Sequence, residues 1–238
     1  MDIIYPLGIS SKWGDNELRY SLRSIEKHIT GYGNVWIIGQ LPSFLKNVNH
    51  IPFEDMSQNK EANICRKVLR ACQESSISDD FLFFNDDHFI LQPFIADQLP
   101  YYYKGDLISL ANSPRRGVYY RAIRRTVREL QQRRFNTKHF DTHTPIIYNK
   151  QKFTQVMSQY DWDIRVGLTV KSIYCNSLGI QGTKEPDCKI NGLMIAEDIF
   201  ELIKNRKVFS IGDKALGPQM HIALNTLYPT PSQWEIEA

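Results

Sequence analysis

Cysteine is scarce, with 4 in 238 residues, and no C-x-x-C pair occurs, so neither a disulfide framework nor a zinc site is expected. Cys65 and Cys72 lie on the same side of one helical pattern, while Cys175 and Cys188 fall in a loop-like stretch. Four reduced thiols are the expectation. No run approaches the roughly 20 apolar residues that cross a bilayer, and mean hydropathy is −0.39. The opening Met1-Asp2-Ile3-Ile4-Tyr5-Pro6 has no basic region ahead of a long apolar stretch. No transmembrane segment or secretory leader is therefore visible, and a cytoplasmic setting is expected. Internal repeats and low-complexity tracts are also missing, which favours a single domain over 1–238.

What is present is ordinary for a globular chain: 42% hydrophobic and 23% charged residues, which excludes general disorder. The length can bury a sizeable core without covalent staples. Net charge is only +3, but it is unevenly spread. Arg115, Arg116, Arg121, Arg124, Arg125, Arg128, Arg133, Arg134 and Lys138 face only Glu129, a local charge of +8 that leaves −5 for the remainder. Within this stretch Tyr119, Ile123, Val127 and Leu130 recur at helical spacing, so an apolar stripe can dock while most arginines point elsewhere. Eight arginines to one lysine suit bidentate phosphate recognition. A solvated helix with internally paired arginines is the plainer alternative.

Along the chain, Asp2–Leu7 reads as a buried first strand ending at Gly8, followed by the polar loop Ser10-Ser11-Lys12-Trp13-Gly14. Asp15 or Asn16 can cap a helix through Leu18, Leu22, Ile25 and Ile29. Val35–Ile38 and a short piece at Ile51–Phe53 read as strands, and Asn59–Gln73 as a second helix. Phe81-Leu82-Phe83-Phe84 is a fourth apolar run that stops at Asn85-Asp86-Asp87-His88. Short buried strands alternating with helices predict an α/β fold with a mainly parallel sheet, whose ligands sit beyond the strands' carboxyl ends. The basic helix, about 112–138, would be an insertion. His88 would point to the opposite face from the acids if the strand continued.

Two adjacent carboxylates at a strand end repel unless a cation or strong donors compensate. Mg²⁺ or Mn²⁺ held by one or two carboxylates and a substrate diphosphate is one answer. A self-capping strand-to-loop turn is the other.

Three stretches carry a resemblance. Asp15-Asn16-Glu17-Leu18-Arg19-Tyr20-Ser21-Leu22-Arg23-Ser24-Ile25-Glu26-Lys27, Phe81-Leu82-Phe83-Phe84-Asn85-Asp86-Asp87-His88-Phe89 and Thr142-His143-Thr144-Pro145 resemble the first helix, the N-D-D metal strand and the H-x-P segment of the Stealth family of hexose-1-phosphate transferases. The likeness extends to nucleotide-sugar-dependent transferases of GT-A-like, Rossmann-like fold. Weaker echoes are Phe209-Ser210-Ile211-Gly212-Asp213 and the closing Tyr228-Pro229-Thr230-Pro231-Ser232-Gln233-Trp234-Glu235, similar to that family's I-N-D and P-x-x-S-x-[FW]-E segments. Together these cover about a quarter of the chain. It departs where the family has a Y-T-W-V-D-type opening, since Tyr5 precedes Pro6-Leu7-Gly8-Ile9, and it has Gly212 in place of Asn.

The resemblance implies a metal-dependent glycosyltransferase that moves a sugar from a nucleotide sugar, a UDP-sugar first, to a hydroxyl acceptor. Asp86 and Asp87 would anchor Mn²⁺ or Mg²⁺, with His143 as a further ligand or acceptor contact. Tyr5, Leu7 and Gly8 would lie by the base or ribose, and Arg19, Lys60 and Asn63 by the diphosphate or donor cleft. A carboxylate must take the acceptor proton if transfer inverts, and Asp213 is preferred over Asp141 and Glu197-Asp198.

The acceptor divides the readings. A glycan intermediate could bring peripheral membrane contact through the basic helix. A hydroxymethylated phage DNA could run along Arg115, Arg116, Arg121, Arg124, Arg125 and Arg128, with Tyr101–Tyr103 or Tyr119-Tyr120 stacking on a base or sugar. Stealth-type sugar-phosphate transfer for a surface polysaccharide and a non-catalytic nucleic-acid-binding protein are further alternatives.

Overall fold

In the computed structural model of the chain, which describes residues 1–9 and 11–236, the apolar segment Asp2–Leu7 forms a strand (β1) that is buried throughout. Ser10, part of the loop expected after it, lies outside the described residues. The chain continues through α1 (Asn16–His28), β2 (Ile29–Thr30), β3 (Val35–Gly39), β4 (Asn49–Ile51), α2 (Lys60–Cys72) and β5 (Asp80–Phe83). Next come β6 (His88–Ile90), β7 (Phe94–Ile95), β8 (Tyr102–Tyr103), α3 (Leu107–Ala111), α4 (Val118–Gln132) and β9 (Ile146–Asn149). The last part is α5 (Lys150–Met157), α6 (Val170–Ser177), β10 (Thr183–Lys184), β11 (Lys189–Ile190), α7 (Ala196–Ile203), β12 (Val208–Ile211) and α8 (Pro218–Leu227).

The central sheet has the order β4-β3-β1-β5-β9, parallel except where β9 joins β5 in the opposite sense. Ile4 sits in register between Trp36 and Phe83. Alternation along the strands sends two sets of apolar side chains to two faces. Ile4, Ile38, Phe81 and Phe83 meet Cys65, Val68 and Ala71 of α2 and the stripe Ile123, Val127 and Leu130 of α4. Ile3, Tyr5, Ile37, Leu82 and Phe84 meet Leu18, Leu22 and Ile25 of α1. Each such side chain contributes about 1.5–3 kcal/mol by leaving water, so both layers are held firmly. The expected mixed α/β architecture with a mainly parallel sheet and flanking helices is what forms.

Helix α1 is shared. Its Tyr20 turns away from the central sheet into a second core formed by α7, α8 and the small sheet β11-β12-β6. Phe89 and Phe209 lie 4.9 Å apart, centroid to centroid, inside it. The basic helix α4 lies on the connection between β5 and β9 and follows Gly117, whose φ of +117° suits glycine rather than an L side chain.

Several local expectations change. The strand expected at 51–53 runs from Asn49 to Ile51. Cys175 is buried in α6 rather than in a loop, and all four cysteines are free thiols. Asp15 sits at the N-cap of α1 with φ 58° and makes no side-chain cap, whereas Asn59 caps α2 by accepting from the Ala62 N–H. His88 does not continue β5: the chain turns at 85–87 and re-enters as β6 of the small sheet.

Candidate active site

The carboxyl ends of β1, β3 and β5 open together. Gly39, with φ +125°, ends β3 so close to β1 that a Cβ there would stand 2.0 Å from the Leu7 carbonyl oxygen. That oxygen accepts from Nζ of the buried Lys67 at 2.5 Å, and the same ammonium pairs with Asp55 at 2.6 Å. At the end of β5, Phe84 still donates its N–H to the Ile4 carbonyl, after which the His88 N–H closes a turn on the Asn85 carbonyl. Asp86 and Asp87 therefore stand at a turn between two sheets rather than along a strand. They line a cleft of about 240 Å³ together with Gly8, Glu17, Lys60 and Asp213.

Negative charge is crowded at this turn. Burial pushes Asp86 up to about 7, helped by Asp87, Glu17 and Asp15. Asp87 Oδ2 accepts from Lys189 Nζ at 2.9 Å, whereas its Oδ1 is buried with no partner. Glu17, nine-tenths buried, accepts from Ser11 Oγ on Oε1 and leaves Oε2 without a partner; burial raises its pKa too. His88 Nδ1 accepts the Asn85 N–H, so in the neutral ring Nε2 carries the proton. That Nε2 lies 3.9 Å from Asp87 Oδ1, and burial holds the imidazole neutral. Among the described residues no three His, Cys, Asp or Glu side chains converge into a complete metal cage. The unpartnered Asp87 and Glu17 oxygens beside Asp86 nevertheless fit a hard divalent cation that takes its remaining oxygens from a diphosphate.

The other expected site residues divide. Gly8 and Lys60 line the cleft, and so does Asn63, but its amide is committed to the adjoining loop: it accepts from the Met56 and Ser57 N–H groups and donates to the Ser57 carbonyl. Tyr5 and Leu7 do not face the cleft. Alternation turns both into the α1 core, where the Tyr5 hydroxyl bonds Ser21. Arg19 is also turned away, pairing with Glu235 at 3.2 Å with its guanidinium 3.7 Å from the Phe44 ring centroid. Asp213 stands at the cleft rim, largely exposed and ion-paired with Lys12 at 2.9 Å, and that hydrogen bond lowers its pKa.

His143 belongs to a neighbouring cavity of about 470 Å³, which shares Asn85 and Lys189 with the cleft. Its Nδ1–H donates to Asp187 Oδ2 at 2.7 Å and its backbone N–H to Oδ1 at 2.9 Å. The structure thus pairs His143 with Asp187 rather than with Asp86 and Asp87. Burial alone would raise Asp187, but His143 and Lys104 hold it well below the usual carboxylate range. Lys171 donates to the Thr142 and Thr144 carbonyls on either side of His143, at 2.8 and 2.7 Å, and fixes that loop.

The arginines of α4 are less free than the charge count suggested. Arg124 caps the carbonyls of Ala111, Ser113 and Arg115, and Arg125 donates to those of Val166 and Asp161. Arg133 reaches the carbonyl of Gln159, and Lys138 that of Gln181. Arg115, Arg116, Arg121, Arg128 and Arg134 remain on the exposed face, with Arg115 bonded to the Tyr120 hydroxyl.

Glu17, Lys189, Asp187 and Glu61 line or brace these cavities and were not singled out as site residues from sequence. Glu17 lies inside the quoted first-helix motif and was readable there. Asp187 stands 44 residues from His143, and nothing local links them.

No family model matches the chain, and no curated protein does. Among solved structures the chain is similar to the galactosyltransferase LgtC, crystallised with donor and acceptor sugar analogs, at 11% identity over 98% of both chains with a TM-score of 0.48. Among the described residues no helix is long and apolar enough to cross a membrane.

Proposed function

We propose that the protein is a glycosyltransferase of GT-A-like fold that moves a sugar from a nucleotide sugar to a hydroxyl acceptor. The carrying observation is the acid turn at the mouth of the parallel sheet. Asp86, Asp87 and Glu17 crowd together there, with two buried oxygens left unpartnered. Open parallel sheets bind ligands at this edge, and the arrangement supports a divalent ion shared with a diphosphate. Such an ion, when bound, stabilises charge developing on the leaving diphosphate.

The chain's own residues then have distinct tasks. Asp86 and Asp87 hold the ion, and Lys189 keeps Asp87 oriented from the boundary of the two cavities. Lys60, at the start of α2, offers a cation to the donor. Asp187 fixes the His143 tautomer so that Nε2 is free to accept a proton. In the transfer, the acceptor oxygen bonds to the anomeric carbon and its proton passes to Nε2. The bond from that carbon to the diphosphate breaks, and its electron pair leaves with the nucleotide. Asp213, paired with Lys12 at the rim, is less suited to that role.

A product assay with Mn²⁺ and a panel of nucleotide sugars, UDP-sugars first, tests this reading. Release of nucleoside diphosphate, identified by mass and lost in Asp87→Asn, is the expected result. Release of nucleoside monophosphate would instead mean that the sugar phosphate moved, as in Stealth-type chemistry. No release with any donor would overturn the reading.

A further inference from the structure

Beyond Lys189, the cavity that holds His143 opens into a larger one of about 840 Å³ beneath α4, and Glu61, Tyr119 and Asp141 line both. Both volumes fall in the range of small-molecule sites. Three polar groups face this trough without full partners. Glu61, exposed where it borders both cavities, has no hydrogen bond or ion pair among the described residues. Asp141 accepts from the Tyr119 hydroxyl at 3.0 Å. Lys171, 7% exposed, donates two of its three ammonium protons to the Thr142 and Thr144 carbonyls and keeps one uncommitted. At the His143 end the other ammoniums are already engaged, Lys104 by Asp187 and Lys189 by Asp87, while Lys60 and Arg165 stand at the far wall of the larger cavity.

These partners restrict the ligand. Two carboxylates accept only, so the ligand must donate to them. Between Glu61, Asp141 and Lys171, away from Lys60 and Arg165, a phosphate would meet both carboxylates, and an ammonium would meet the Lys171 proton. Hydroxyl groups donate and accept, and so satisfy both walls. Val68, Phe83 and Tyr148 supply an apolar side against which the C–H face of a sugar ring can lie. Arg124 and Arg125, which a nucleic acid would need on this side of α4, are spent on main-chain carbonyls.

We propose that the acceptor is an uncharged saccharide seated in this trough, with neighbouring hydroxyls on Glu61, Asp141 and Lys171 and the reacting hydroxyl toward His143. This rests on the reading of the adjoining cleft as the donor side. It moves the acceptor from the outer, arginine-bearing face of α4 to the cavity behind it.

Donor-free binding decides the point, using saturation-transfer NMR and calorimetry. The ligands are neutral methyl hexosides, glucosamine, a hexose 6-phosphate and a hydroxymethylated duplex oligonucleotide, each titrated to the millimolar range. Neutral hexosides should bind, and Glu61→Gln and Asp141→Asn should each weaken them about tenfold, the difference between a charged and a neutral hydrogen bond. Both variants should bind UDP with Mn²⁺ as the native protein does, which also shows that they are folded. The proposal is overturned if no neutral hexoside binds, if either variant binds hexosides unchanged, or if the phosphosugar, glucosamine or the duplex binds more tightly. Hexoside binding that depends on Glu61, without any nucleotide binding, would sink the donor reading and leave the trough assignment standing.

Discussion

Replacing Glu235 with alanine should cost about 3 kcal/mol, because of how the closing segment is tied to α1. The Glu235 side chain is 3% exposed and accepts from Arg23 Nε and Nη2, both at 2.7 Å, and from the Ser232 N–H at 2.8 Å. Arg23 is itself only 13% exposed, so removing the carboxylate strands a cation inside the protein. Breaking a buried pair in this way costs about 3–5 kcal/mol. Arg19, at 30% exposure, can turn to water and adds little, which sets the expectation at the lower end of that range. At roughly 2–4 °C per kcal/mol for a chain of this size, the melting temperature should fall by about 6–12 °C. Thermal and urea unfolding at neutral pH measure it, with Arg19→Ala as a near-neutral control. Burial opposes ionisation of Glu235, but Arg23 and the Ser232 N–H outweigh it and lower the pKa from 4.5. A lowered carboxylate stabilises the fold above its unfolded value, so the gap between native and variant should close as pH falls through and below 4.5. A loss under about 1 kcal/mol, or a gap that does not depend on pH, would refute the reasoning.

Asp86 titrates in the opposite sense. Its pKa rises from 3.8 to about 7 in the folded chain, so between those values the native state holds a proton that the unfolded chain has released, and stability falls as pH rises. Asp86→Asn should therefore stabilise the metal-free protein by about 1–2 kcal/mol at pH 8 and by little at pH 4, a discounted share of 1.36 kcal/mol per unit. Equal urea midpoints for variant and native protein at pH 8 would contradict the crowding of charge at the turn. Gly39→Ala should cost about 3 kcal/mol, from the left-handed φ and the 2.0 Å approach to the Leu7 carbonyl. Calorimetry showing an unchanged melting temperature would refute that close approach.

β1, α1, β3, α2 and β5 were legible because each is a compact apolar or periodic run bounded by glycine or polar turns, whereas β2, where Ile29 leaves the expected helix, and β6 were not. The place of Asp86 and Asp87 at the sheet edge followed from the run Phe81–Phe84. What escaped was anything set by pairing across the chain. Arg19 lies on the quoted helix, and its partner Glu235 is 216 residues away. Tyr5 and Leu7 were read by their position at a strand end, whereas the period of two turns their side chains into the core. Arg124 and Arg125 look free in a charge count, which cannot show which main-chain carbonyls lie near them. The bracing of His143 by Asp187 arises only when β11 comes beside the loop that follows α4.

The central claim is that the acid turn at the end of β5 binds a divalent ion and a diphosphate together. Manganese paramagnetic resonance, titrating Mn²⁺ with and without UDP on the native protein and on Asp87→Asn, tests it most directly. Each ligand should tighten the other by at least tenfold, and the variant should lose the coupling while its melting temperature is kept. UDP that binds equally well in EDTA, or coupling that survives Asp87→Asn, would contradict it.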